Sequence, residues 1–64
     1  MSDPKLPDPV TAQQANAEGM TAMAQARYPA AAEAFARAAA ADPDALPLWA
    51  NLAHAHRLAG QVRG

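Results

Sequence analysis

The stretch "AEGMTAMAQARYP", from Ala17 to Pro29, contains a glycine inside an otherwise strong helix pattern. Glycine within a helix costs about 1 kcal/mol relative to alanine. Because this chain is rich in alanine, a glycine at position 19 indicates a specific structural role there. It belongs to a stripe of small residues at spacings of three and four, which predicts that a second helix approaches closely. The stripe consists of Ala12, Ala15, Gly19, Ala22 and Ala26.

The residues before this stretch predict how the first helix begins. Residues 1–9 contain three prolines and are expected to form a flexible leader. The first helix is expected over about residues 10–26. Asp8 is a candidate N-cap and Pro9 a candidate first helical residue, with Thr11 as an alternative cap.

The residues after the stretch predict a second helix. Proline disfavours helical geometry in the residue before it, so Tyr28 is expected outside the helix and Pro29 is expected to open it. The helix should end near Ala41, before Asp42 and Pro43. Its stripe of Ala31, Phe35 and Ala38 is the candidate partner for Gly19, with Phe35 filling space beside the contact. Gly19→Leu should then destabilise the fold, and Gly19→Ala should be much milder.

A third helix is expected from about Leu46 to Ala59, with Asp44 as a possible cap and Gly60 as the stop. Residues 61–64 are then a short tail. Glu33 and Arg37 have the spacing of a solvated ion pair on the second helix. The apolar side of the third helix is predicted to consist of Leu48, Trp49, Leu52, Ala55 and Ala59.

The composition places these helices in one small all-α domain. The chain has 64 residues and a net charge of −1, without a basic cluster that would favour nucleic acid. It has no cysteine. No signal peptide or membrane span is visible, so the cytoplasm is the default location. Short connections predict antiparallel neighbours, which gives a three-helix domain over residues 10–60.

Several of these residues resemble the tetratricopeptide repeat (TPR) family, a helix–turn–helix unit of about 34 residues. Pairs such as Ala15 and Trp49, or Gly19 and Ala53, are 34 residues apart. The resemblance covers residues 12–60 and implies one full repeat plus the first helix of another, in an α-solenoid fragment. The matching residues, with Tyr28 just before the second helix, are Gly19, Tyr28, Ala31, Phe35, Ala38, Pro43, Trp49 and Leu52.

The resemblance implies a protein-interaction module that binds a partner in a concave groove. The groove residues would be Gln13, Asn16, Met20, Met23, Asn51, His54 and Arg57. Core packing is the competing interpretation of the two methionines. Some family members clamp a terminal carboxylate with asparagine and lysine. Asn51 could match such an asparagine, but lysine is absent from the helices, which argues against the clamp.

Catalysis by this chain alone is not expected, and neither a metal nor a cofactor is predicted. His54 and His56 are two residues apart and lie on different sides of a helix. His56 is expected near Tyr28 or the second helix. No carboxylate has an evident acid–base partner.

Two further interpretations stay open. The chain is also interpretable as the N-terminal accessory domain of a larger enzyme, with a composition that favours a high-GC bacterial source. In the other interpretation, the repeat stack is truncated after its third helix and self-associates. An uncovered side formed by Leu48, Leu52, Ala55 and Ala59 would lead to homo-oligomers.

Overall fold

Three packed α-helices make up the part of the chain that the structure, a computed structural model, describes. That part comprises residues 8–63, and of residues 62 and 63 only the backbone. The helices are α1 (Pro9–Ala24), α2 (Tyr28–Ala41) and α3 (Leu46–Arg63), and the described residues contain no strand. The all-α prediction is therefore confirmed. The predicted flexible leader lies outside the described residues except for Asp8 and Pro9.

Asp8 begins α1 as its N-cap, and Pro9 is the first helical residue, as predicted. The Asp8 carboxylate accepts two hydrogen bonds from Thr11. One comes from the Thr11 backbone N–H at 3.1 Å and the other from its hydroxyl at 2.7 Å. Thr11 is thus the partner of the cap and not an alternative cap. The Asp8 backbone N–H donates to the Ala41 carbonyl at 2.8 Å, which ties the start of α1 to the end of α2.

This cap predicts a pH dependence of stability. The hydrogen bond from the Thr11 side chain, aided by backbone N–H groups, lowers the pKa of Asp8 below its ordinary value. A carboxylate with a lowered folded-state pKa stabilises the fold above its unfolded pKa of about 3.9 and loses that contribution as pH falls through the folded pKa. Asp8→Ala should therefore lower the melting temperature at about pH 7, and the deficit should shrink at about pH 2.

Circular dichroism melts of Asp8→Ala and of Asp44→Ala provide the comparison. Asp44 lies in the turn before α3, where it caps no helix. A deficit for Asp8→Ala that is equal at both pH values, or equal to that of Asp44→Ala, would contradict the capping role.

The turn between α1 and α2 differs from the prediction. Helix α1 ends at Ala24, two residues earlier than expected, and Ala26 takes a left-handed backbone conformation with φ of 59°. Arg27 precedes α2, and Tyr28 is its first residue, so the expectation that Tyr28 lies outside the helix is wrong. Pro29 is tolerated because it lies in the first turn of the helix. The restriction that proline places on the backbone of the preceding residue is only a preference, and Tyr28 is helical in spite of it.

The boundaries of α3 also correct two expectations. Helix α2 ends at Ala41 as predicted, but Ala45 immediately precedes α3, so Asp44 is not its N-cap. The helix then continues through Gly60 to Arg63, and residues 61–63 are helical and not a tail. Gly60 has no positive φ, so it extends the helix with ordinary geometry. Glycine after an apolar run is therefore not sufficient to stop this helix.

Helix α2 is the centre of the packing. It contacts both neighbours extensively, whereas α1 and α3 make only a minor contact with each other. Phe35 is 1% exposed and is the only large side chain that is fully buried among the described residues. The other buried side chains are all alanines, namely Ala12, Ala15, Ala31, Ala32, Ala34, Ala38, Ala39 and Ala55.

Gly19 is buried against the ring of Phe35. A Cβ atom at position 19 would lie 2.5 Å from Cδ1 and 2.8 Å from Cζ of that ring. The predicted close contact between the two stripes is therefore present, and glycine is required there because the ring occupies the space of a methyl group. The expectation that Gly19→Ala would be mild does not follow from this geometry.

One surface prediction is also corrected. The Arg37 guanidinium donates to the Glu18 carboxylate at 3.2 Å, an ion pair between α2 and α1. The predicted pair with Glu33 is absent from the ion pairs of the described residues. Both partners are well exposed, so the pair contributes little to stability.

The apolar side of α3 faces α2 and is not free. Ala55 is fully buried, and Leu48, Leu52 and Ala59 are half-buried. The set that the sequence assigned to an uncovered side is thus largely used within the chain. Trp49 is the exception, because it is 45% exposed.

Candidate binding groove

Helices α1 and α3 run side by side along α2 and form the two sides of a shallow groove. The start of α1 lies at the end of α2, and the turn of residues 42–45 reverses the chain again, so α1 and α3 are parallel. The Asn51 side-chain amide donates to the Asn16 side-chain oxygen at 3.0 Å, in a partly buried bond between residues 35 positions apart. This bond joins the two sides of the groove.

The two asparagines retain hydrogen-bonding capacity beyond their mutual bond. Each primary amide offers two N–H donors and one oxygen with two lone pairs. The bond uses one donor of Asn51 and one lone pair of Asn16. Both donors of Asn16 and the oxygen of Asn51 remain, and these are the groups that an extended backbone needs from a binding surface.

A concavity opens where the groove begins, between the first turns of α1 and α3. Its volume is about 380 Å³. Gln13 and Asn16 of α1 line it together with Pro47 and Leu48 of α3 and Asp42 of the turn before α3. The sequence placed Gln13 and Asn16 here. It did not associate Pro47 and Leu48 with them, because that requires the relative position of α1 and α3.

The two methionines have different environments. Met20 is 55% exposed on α1. Met23 is half-buried and packs against the core cluster of Ala31, Ala32, Phe35 and Ala55. The interpretation as a binding residue therefore stays open for Met20, whereas the core interpretation fits Met23.

The two remaining candidate groove residues on α3 are exposed. His54 and Arg57 lie along α3 beyond Asn51, and both present their side chains to solvent. The structure brings Gln13, Asn16 and Asn51 together at one end of the groove, and Met20, His54 and Arg57 follow further along their helices.

A second concavity lies between α2 and α3, on another part of the surface. Its volume is about 320 Å³, and it is lined by Pro29, Ala32, Glu33, Ala36 and by His56 and Ala59 of α3. His56 was expected near the second helix, and this is where it lies. The described residues include no group of three or more His, Cys, Asp or Glu side chains placed to hold a metal ion.

None of the described helices combines the length and apolarity needed to cross a bilayer. The chain was compared with models of known protein families, with curated proteins and with solved structures, and none of the three comparisons found a significant match.

Proposed function

We propose that this chain is a non-catalytic protein-interaction module of the TPR type, which binds a segment of a partner protein in the groove between α1 and α3. The bond between Asn16 and Asn51 carries the proposal. It places two parallel helices side by side at a sequence offset of 35 residues, close to the period of about 34 residues of that repeat. Close packing of Gly19 against α2 supports the same assignment.

The groove suits an extended segment with apolar and acidic side chains. Asn16 and Asn51 supply backbone donors and acceptors at one end. Met20 supplies a flexible apolar contact, which adapts to differently shaped partners. Arg57 supplies one fixed positive charge and, with His54, favours an acidic partner, so the affinity should weaken modestly with salt.

An interaction role also fits the residue types that the groove contains. Its polar groups are amides, an exposed histidine and an arginine, which recognise a partner without supplying a nucleophile with an adjacent base. Asp42, the carboxylate at the end of the concavity, is half-buried beside Ala45 and Pro47. A cytoplasmic and bacterial setting remains a prediction from composition.

Separate substitutions of the two methionines test this proposal. A display library of random peptides is selected on the unmodified chain, and the enriched peptides are then measured on each variant. Met20→Gln should leave the melting temperature unchanged and weaken binding about tenfold, since a buried apolar contact contributes about 1–2 kcal/mol. Met23→Gln should lower the free energy of unfolding by a similar amount, because it places a polar amide against the core cluster.

Ala40→Gln on the exposed side of α2 is the matched control, and it should change neither property. If the enriched peptides bind the Met20→Gln and Asn16→Ala variants with the same affinity as the unmodified chain, the groove is not the binding site. The same conclusion follows if selection enriches no peptide at all.

A further inference from the structure

Helix α3 carries an uncovered stripe on the side away from α2. Leu46, Trp49, Ala53, Arg57 and Gly60 are all exposed, and we call them the α3 stripe. Leu46 is 75% exposed and Trp49 is 45% exposed, which makes them two of the four exposed large apolar residues in the described part of the chain. Exposed apolar residues that adjoin one another mark interaction surfaces more often than scattered ones do.

The Trp49 side chain is suited to an apolar contact with a partner. Its indole N–H donates to the Pro43 carbonyl oxygen at 2.8 Å, inside the same chain. The polar atom of the ring is therefore satisfied, and the remaining exposed surface is carbon. The bond also holds the ring in place, so covering it costs less side-chain entropy than covering a free ring would.

The spacing of the α3 stripe reads the same in both directions. The steps from Leu46 to Gly60 are three, four, four and three residues, with Ala53 at the centre. Two such helices that cross antiparallel at Ala53 bring Leu46 of one copy to Gly60 of the other. They also bring Trp49 to Arg57, and Ala53 to itself.

Each of these pairings joins complementary side chains. The Cβ position of Gly60 has no neighbour within 4 Å, so there is room for Leu46 beside it. Arg57 can stack on the face of Trp49 in a cation–π contact. Two alanines at the centre allow the helices to approach closely. Because of the two-fold axis, the contact contains two pairs of a large residue with a small one and two pairs of a cation with an aromatic ring.

We propose that two copies of this chain associate through the α3 stripe, as an antiparallel pair of α3 helices with a two-fold axis at Ala53. A two-fold contact uses the same patch on both copies, which requires a self-complementary patch such as this one. The pairing goes beyond the proposed function, because it uses the side of α3 away from α2. It shares only Arg57 with the groove and leaves Asn16 and Met20 untouched.

Single cysteines test the geometry, because the chain has none of its own. Under air oxidation, Ala53→Cys should form a disulfide-linked dimer, since the two-fold axis brings the two Cβ atoms within disulfide range. Leu46→Cys alone and the control Ala40→Cys should remain monomeric. A mixture of Leu46→Cys and Gly60→Cys should yield the mixed dimer. Cross-linking of Leu46→Cys alone, or none for Ala53→Cys, would refute the antiparallel pairing.

Sedimentation equilibrium tests the association without a cross-link. The unmodified chain should show a monomer–dimer equilibrium, and Trp49→Ala and Ala53→Glu should each raise its dissociation constant at least about tenfold. Both positions are exposed, and an unchanged circular dichroism spectrum shows that the variants remain folded. A chain that sediments as a monomer up to about millimolar concentration would overturn the proposal. So would equal association of the Ala53→Glu variant.

Discussion

Phe35→Ala is expected to leave the protein largely unfolded at room temperature. Phe35 is 1% exposed and is the only large side chain fully buried among the described residues, whose other buried side chains are alanines. Truncating a buried phenylalanine costs about 3–5 kcal/mol. A single core in a chain of this length rarely supplies more than about 3–5 kcal/mol of stability. The buried residues that form the core cluster with Phe35 are alanines, whose side chains are too short to fill the cavity.

Circular dichroism at 222 nm during urea titration measures this loss. Trp49→Ala is the matched aromatic truncation, because Trp49 is 45% exposed and lies on the side of α3 away from the core. Its effect on the monomer should be much smaller. Comparable losses for the two variants would show that Phe35 is not the centre of the packing.

Gly19→Ala should destabilise the protein although it improves the helix propensity of α1. Alanine in place of a helical glycine gains about 1 kcal/mol. The added methyl group would overlap the buried ring of Phe35, and overpacking of a core typically costs about 1–3 kcal/mol. The ring cannot move aside easily, because Ala55, Met23 and Leu52 belong to or pack against the same cluster. We therefore expect a net loss of stability, measured as a lower urea midpoint.

Gly60→Ala provides the matched control for this prediction. Gly60 is also helical, but a Cβ atom there meets nothing within 4 Å. The same substitution should therefore raise stability by about 1 kcal/mol. In the double variant, the effects of Gly19→Ala and Phe35→Leu on stability should be strongly non-additive. The smaller side chain at position 35 leaves space for the methyl group added at position 19. An increase in stability for Gly19→Ala alone would contradict the close contact.

Gly19 also shows how far the sequence predicts this fold. The spacing of small residues identified which sides of α1 and α2 meet, and the structure places Gly19 against Phe35 as expected. Spacing does not reveal how far the ring reaches toward the glycine backbone. That distance depends on the ring rotamer and the separation of the helices. The severity of Gly19→Ala therefore could not be predicted from the sequence.

Helix boundaries were predictable where a side chain acts locally, and less so elsewhere. Asp8 caps α1 through a residue three positions away, and the sequence contains that whole interaction. Gly60 ends a helix only when its backbone turns left-handed, which depends on its surroundings as well as on its type. Tyr28 is the first residue of α2 although it precedes Pro29, because the restriction that proline places on the preceding residue is a preference and not a rule.

The pairing of two residues that the sequence analysis assigned to the groove could not be predicted from the sequence. Asn16 and Asn51 were both assigned to it, and the structure shows that they bond to each other. A bond across 35 residues depends on how α2 positions its two neighbours, which the periodicity of either helix alone does not specify. The opposite exposures of Met20 and Met23 have the same origin.

An interior built from alanine has a thermal consequence. The heat capacity of unfolding grows with the apolar surface that becomes exposed, and it averages about 12–15 cal/mol/K per residue in globular proteins. Eight of the nine buried apolar side chains in the described part of the chain end at Cβ. For this protein, the heat capacity of unfolding per residue should therefore lie below that average. Its stability should then change little between cold and physiological temperature, with a broad calorimetric transition on heating.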